Sequence, residues 1–338
     1  MINGKKYKVG MYGGCFCPLH LGHLECLIRA AGLCEELYVV ISWKEHEDIP
    51  LKVKIRWIHQ LTKHIGNVKM IPLKDQTVCK EDYTEAYWEA DCKKVKDAIG
   101  KTIDVVFCGS DYDENSFWNK CYAESEFVVF PRNQYSSTEI RKDLYGHWEW
   151  MPQIVRSYFT KKVLLIGGES AGKSTLTINL ANYFNTVYLE EVGRDLSELS
   201  GTDRYMLSED FTRILLEHKA KEYRLIGQAN KVLFEDTDCL VTRFFMDFLE
   251  DENMEGNARL AEAIAALNQY DLILFLEPDV EWVQDGDRSE VMAADRTKYS
   301  EMIKALYEKQ GFSFQVIRGD YNSRFEQAVQ YVRELLKA

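Results

Sequence analysis

Residues 161–178 read KKVLLIGGESAGKSTLTI, an apolar run that breaks into a glycine turn and resumes with helical spacing. The turn, Gly167 to Ser174, fits the pattern GxxxxGK[ST], which works only where a strand runs into a loop and the loop opens a helix. Such a unit has to pack its helix back onto a parallel sheet, with the loop at the carboxyl edge of the strands. Glycines let the backbone curl until its N–H groups and the helix N-terminus point at phosphate oxygens. Gly167, Gly168, Glu169, Ser170, Ala171, Gly172, Lys173, Ser174 and Thr175 are therefore expected to hold a nucleotide. In this arrangement Lys173 reaches the β and γ phosphates and the Ser174 hydroxyl serves Mg²⁺.

This loop begins almost halfway along the 338 residues, behind a stretch that already alternates apolar strands with amphipathic helices. Residues 8–12, 36–42, 68–73, 103–109 and 126–130 read as buried strands of one open sheet. The alternation then restarts, with strands expected at 161–166, 187–191, 231–236, 271–277 and 313–319. The fold class is α/β: two doubly wound parallel-sheet domains in series, 1–158 and 159–338. No Gly/Ser-rich linker separates them.

The formal charge of −12 argues against broad attraction to nucleic acid. No apolar run approaches the roughly 20 residues of a membrane helix, and no signal peptide is evident at residue 1, so a cytoplasmic protein without membrane partners is expected. Nine cysteines without a CxxC pair read as reduced thiols. A homo-oligomer is compatible with the sequence.

In the second half, KVLFEDTD ends a strand with Asp236, placed to support the metal, and Asp238, placed for the substrate. VYLEEVGRD offers Glu190, Glu191 and Asp195 at the next strand end, where a base meets a substrate hydroxyl, with Arg194 among them. Glu191 is taken as the base. A solvated charge at a strand end is the competing reading for each carboxylate. After the fourth strand come Trp282, Asp285, Arg288 and Arg296. The arginines could close over a transferred phosphoryl group, and the tryptophan could stack on a flat ring or simply fill the core.

In the first half, GMYGGCFCPLHLGH sets Gly13, Gly14 and Phe16 at the end of a strand and His20 and His23 at the opening of a helix, where both imidazoles can face a polyphosphate. Zinc ligation and a purely structural pair are the alternatives. Gly109 and Asp111, past the fourth strand, fall on the same sheet edge as nucleotide contacts. More than a hundred residues after HxGH, YSSTEIRKDL opens another helix with Ser136, Ser137 and Thr138 as capping hydroxyls and Arg141 as a phosphate grip.

The pair HxGH and SSTEIR resembles the nucleotidyltransferase motifs GxFxPxHxGH and ISxTxIR. Their combination with GGESAGKST, EEVGRD, FEDTD and EWVQDGDRS is similar, in order and spacing and over nearly the whole chain, to NadR-type proteins. RWIHQL, with Arg56 and Trp57, resembles that family's RW element at the substrate. The resemblance implies an adenylyltransferase domain followed by a ribosylnicotinamide kinase, ATP and Mg²⁺ as cofactors, and ribosylnicotinamide, nicotinamide mononucleotide and NAD as small-molecule partners. Coenzyme A synthase, which joins the same two domain types, and a kinase carrying a nucleotide-sensing first domain are the rival readings. The first strand begins by about residue 8, so no DNA-reading helix-turn-helix is expected ahead of it. Cys15 and Cys17 depart from the family pattern, and a thiol is a weak donor to phosphate.

Overall fold

The computed structural model describes residues 6–77, 82–109, 120–131, 134–201, 205–251, 253–284 and 289–337. The chain divides into two compact units, Met1–Val155 and Arg156–Ala338. No helix among the described residues is long and apolar enough to cross a membrane.

The first unit is built on β1 (Tyr7–Gly14), β2 (Cys34–Trp43), β3 (Val68–Lys74), β4 (Val105–Gly109) and β5 (Glu126–Phe130). All pairings are parallel, in the order β3-β2-β1-β4-β5. The chain starts in the middle, winds out to β3, then returns to the other side of β1. The strand order thus reverses between β1 and β4, and a doubly wound sheet opens its ligand crevice at the carboxyl ends of such a pair. Strand β1 can lie this close to both neighbours because of Gly10, whose Cβ would come within 2.3 Å of Cys34 Sγ and 2.8 Å of the Phe107 ring.

The second unit repeats the scheme with β6 (Lys161–Gly167), β7 (Tyr188–Leu189), β8 (Val232–Asp236), β9 (Leu272–Leu276) and β10 (Gln315–Ile317), all parallel in the order β10-β9-β6-β8-β7. Strand β6 is central, so the glycine turn leaves the sheet where its two halves diverge. All ten expected strands form, and among the described residues helices follow most of the apolar runs. The helix Lys173–Tyr183 buries Leu176, Thr177, Leu180 and Ala181 against β6 and β8.

On the other face, the helix Ser208–Leu225 buries Phe211, Ile214, Leu215, His218 and Glu222, a helical stripe whose last two members are polar. Glu222 accepts from Lys162 Nζ at 2.9 Å and Lys219 Nζ at 2.6 Å. Its neighbour Glu235, on β8, is fully buried and has no partner for either carboxylate oxygen. Burial, aided by the Glu222 charge and opposed by Lys162, pushes its pKa up to about 8. A raised folded-state pKa means that, between about 4.5 and about 8, the folded protein holds a proton the unfolded chain has released. Stability is therefore lost as pH rises through that window. Glu235→Gln keeps the shape and removes the titration. Its stability advantage over wild type, followed by thermal unfolding at successive pH values, is expected to widen from pH 5 to about pH 8.

Candidate functional site

The HxGH segment forms a reciprocal cap. His20 Nδ1 accepts from the His23 N–H and His23 Nδ1 from the His20 N–H, both at 3.3 Å, at the start of the helix Leu21–Leu33. The rings stack at 3.7 Å with 17° between their planes. Because each Nδ1 accepts, the single proton of each neutral ring lies on Nε2. Burial, together with the charge of His20, holds the His23 pKa well below the ordinary histidine value. With both Nδ1 atoms accepting, the Nε2–H groups of the two rings stand side by side at a helix N-terminus, suited to phosphate oxygens. Phe16, itself buried, meets His23 edge-on at 5.1 Å and packs beside Gly14.

The second motif is joined to the first across more than a hundred residues. Ser137 Oγ donates to Pro18 O at 3.0 Å, and Arg141 donates through Nη1 to Cys17 O at 2.5 Å and through Nη2 to Thr138 Oγ1 at 3.2 Å. Ser136 caps the helix Ser137–Lys142. At the departure from the family pattern, the Cys17 backbone carbonyl accepts from Arg141, and burial pushes the Cys17 thiol's pKa up. Cys15 is exposed. Gly13, Gly14 and Gly109 close their strands as expected, whereas Asp111 lies outside the described residues.

Sequence reasoning missed Lys54. It is fully buried in the helix Leu51–Thr62, with Nζ 2.7 Å from Glu47 Oε2, and its charge is felt at Cys17. A lysine in register with Trp57, Ile58 and Thr62 on the buried face was the available signal. On the same helix, adjacent residues point about 100° apart. Trp57 is 3% exposed and belongs to the core face, while Arg56 is exposed. The RW element therefore presents its two side chains in different directions, Trp57 to the core and Arg56 to the surface.

In the second unit, Gly167 has φ +147°, and a Cβ there would meet Leu276 O at 2.5 Å. Gly172, at φ +82°, opens the helix carrying Lys173, Ser174 and Thr175. Lys173 Nζ donates to Gly168 O at 3.0 Å, which folds it along its own loop. Arg324, 2% exposed, braces the turn from behind, donating to the carbonyls of Ala171, Glu277 and Gly319 and to Asp279. The loop after β9 is stitched to the turn as well. Val283 N donates to Ser170 Oγ at 2.9 Å, and Ser289 N donates to Glu169 Oε2 at 3.1 Å. Arg296 donates to Val280 O and Ser170 O and lies 5.5 Å over the half-buried Trp282 ring. Arg296 is thus a brace, which corrects its reading as an arginine closing over phosphate. Asp285 and Arg288 lie outside the described residues.

A cavity of about 840 Å³ opens in front of the turn, bounded by Lys173, Ser174, Glu191 and Arg194 at polar positions and by Phe211 and Phe245 at apolar ones. That volume suits a nucleotide-sized ligand. Beside it, a recess of about 210 Å³ is lined by Ser174, Thr177, Tyr188, Glu190, Glu191 and Asp236 among others. Asp236 Oδ1 is buried there without a partner. Burial, reinforced by the Glu191 charge and opposed by Lys173 and a Ser174 hydrogen bond, pushes Asp236 up to about 6. Arg194 donates to Ser174 Oγ at 3.2 Å and lies 3.6 Å from Glu191.

Asp238 is a different case. It is 1% exposed, caps the helix Cys239–Phe248 through Leu240 N, and accepts from Tyr270 and Tyr307. Its carboxylate is engaged inside the fold by these hydrogen bonds, whereas the sequence places it toward substrate. Residues two apart in a strand share a face, and the two aspartates of FEDTD differ because β8 ends at Asp236 and Thr237, at φ +65°, turns the backbone between them.

Residues 162–324 match the AAA domain family, and residues 11–143 match the cytidylyltransferase-like family. The trifunctional NAD biosynthesis/regulator protein NadR of Escherichia coli (strain K12) is 29% identical over 98% of this chain and 84% of its own length. The phosphopantetheine adenylyltransferase of Mycoplasma capricolum subsp. capricolum is 30% identical over 36% of this chain and 97% of its own. Crystal structures of NadR protein in complex with NR, and with NAD and AMP-PNP, superpose with TM-scores of 0.81 and 0.79 at 21% identity. They cover 98% and 99% of this chain and 97% and 98% of theirs. Those two structures share the fold of both units, and the Escherichia coli relative aligns through both motif sets in the same order. The chain is homologous to NadR proteins over nearly its whole length, as a cytidylyltransferase-like domain followed by a P-loop domain.

Proposed function

We propose that this chain is a bifunctional transferase of NAD salvage, with its domain boundary at residues 158/159. The P-loop domain moves the γ-phosphoryl group of ATP to the 5′-hydroxyl of ribosylnicotinamide. The first domain then joins the resulting mononucleotide to the α-phosphorus of a second ATP, releasing pyrophosphate and NAD. The observation that carries this reading is that each motif set closes into a separate phosphate-directed site, in the order of a relative named for NAD biosynthesis. A cytoplasmic setting, without nucleic-acid or membrane partners, is part of the proposal.

In the kinase, Lys173 is the cation for the β and γ phosphates and Glu191 takes the hydroxyl proton. Ser174 and Asp236 fit a magnesium ion, since the orphaned Asp236 Oδ1 lies beside the Ser174 hydroxyl. Among the described residues no group of three or more metal-ligating His, Cys, Asp or Glu occurs, and Mg²⁺ bound with phosphates needs only one or two carboxylates. When bound, the ion neutralises phosphate charge. Thr242 and Thr237 lie on the same cavity wall as hydroxyls available to the nucleoside.

In the adenylyl transfer, a phosphate oxygen of the mononucleotide forms the new bond to the α-phosphorus as the bond to the β-phosphate oxygen breaks. The Nε2–H groups of His20 and His23 stabilise the charge that gathers on the phosphates, and Ser137, Thr138 and Arg141 hold the departing pyrophosphate. Positioning and electrostatics suffice, with no covalent intermediate.

Incubation with ribosylnicotinamide, ATP and Mg²⁺ is expected to yield mononucleotide first and then NAD with one pyrophosphate each. Phosphopantetheine and dephospho-coenzyme A, run in parallel, test the reading favoured by the adenylyltransferase relative of the first domain. Turnover of that pair without NAD formation would overturn the proposal.

A further inference from the structure

The helix Ser208–Leu225 places Phe211, Ile214 and His218 on one face, and all three line the 840 Å³ cavity. His218 is only 7% exposed. Its ring is hydrogen-bonded to the Thr237 backbone in the sense that favours the protonated nitrogen, so the ring donates to a carbonyl. Its Nε2 is buried without a partner. Burial, the largest influence, holds the ring below the ordinary histidine pKa, although Asp238 and Glu222 pull the other way. The neutral ring has one proton, committed to Thr237 through Nδ1, and Nε2 is left as a lone pair shut from water. Phe211, Ile214, Val241 and Phe245 share the cavity wall and have no polar atom in their side chains. Thr237 follows Asp236 directly, which ties His218 to the strand end that carries the reaction. A buried acceptor of this kind gains its missing hydrogen bond only from something that enters the cavity.

We propose that His218 is a specificity residue for the phosphoryl acceptor: its Nε2 accepts a hydrogen bond from a donor on the nucleoside, a sugar hydroxyl or the carboxamide N–H. The inference rests on the reading of this cavity as the nucleoside kinase site. An acceptor lacking that donor leaves Nε2 buried and unpaired, and is discriminated against for that reason.

His218→Phe keeps a flat ring and removes the lone pair, and His218→Gln returns an acceptor oxygen. Phosphorylation kinetics would be measured for wild type and both variants on ribosylnicotinamide and on its 2′-deoxy, 3′-deoxy and N,N-dimethylcarboxamide analogues. His218→Phe is expected to raise the nucleoside KM by roughly tenfold, to leave the ATP KM unchanged, and to be largely reversed in His218→Gln. In wild type one analogue should suffer a similar loss to which His218→Phe is indifferent, and that analogue says whether hydroxyl or carboxamide is read. An unchanged nucleoside KM, or equal penalties for every analogue in both proteins, would overturn the inference. Should His218→Phe lose its fold, reported by loss of ATP binding, the analogue series on His218→Gln against wild type decides. A wild-type protein inactive on ribosylnicotinamide would instead refute the proposed substrate, and the same comparison on whichever nucleoside is phosphorylated still decides the role of His218.

Discussion

Lys173→Ala is expected to lower the rate of mononucleotide formation by roughly 10²–10³-fold while conversion of supplied mononucleotide to NAD proceeds at the wild-type rate. The lysine opens the helix behind the glycine turn, and its ammonium donates to Gly168 O at 3.0 Å, a carbonyl of the loop that is to hold phosphate. The group is half-buried, so its charge acts in a setting where water screens it less than at an open surface. Removing it leaves the turn itself intact, because Arg324 and the left-handed glycines shape the backbone. The loss should therefore fall on phosphoryl transfer rather than on folding. Separate assays, one fed ribosylnicotinamide and one fed mononucleotide, check it. Equal loss in both in a folded variant would show that the two activities share one site.

The sheet layout was legible in the sequence because parallel strands buried on both faces must be largely continuous apolar runs, as 105–108 and 272–276 are. The phosphate turns were legible for a related reason: a glycine with a Cβ-free approach to Leu276 O, or two histidines three apart at a helix start, leave a fixed pattern along the chain. What was not legible depends on which way a side chain points at the end of an element. Asp236 and Asp238 look equivalent in FEDTD, yet one leaves an orphan oxygen beside Ser174 and the other is absorbed by two tyrosines 32 and 69 residues away. Arg296 looks like a mobile cation and is held by two carbonyls. Lys54, His218 and Glu235 were hidden differently. Each is a polar residue at a core position, and only the packed structure distinguishes a paired lysine from an orphaned carboxylate or an imidazole facing a cavity.

The pairing of the two histidines leads to the second large effect. His23→Ala is expected to reduce NAD formation from mononucleotide and ATP by roughly 10²–10³-fold with phosphorylation of ribosylnicotinamide unchanged. The substitution removes one Nε2–H donor outright. It also removes the Nδ1 that accepts from the His20 N–H, so His20 loses one half of the cap that fixes its ring, and the second donor is loosened with the first. His23→Asn separates these contributions. An Asn at the third helical position can still accept from the His20 N–H, and it should restore the geometry of His20 without restoring the imidazole donor. Recovery of part of the activity in His23→Asn, relative to His23→Ala, would measure what the cap contributes. Full NAD formation by His23→Ala would mean that the stacked pair is only a helix cap and that the charge on the phosphates is met elsewhere, with Arg141 and the buried Lys54 next in line.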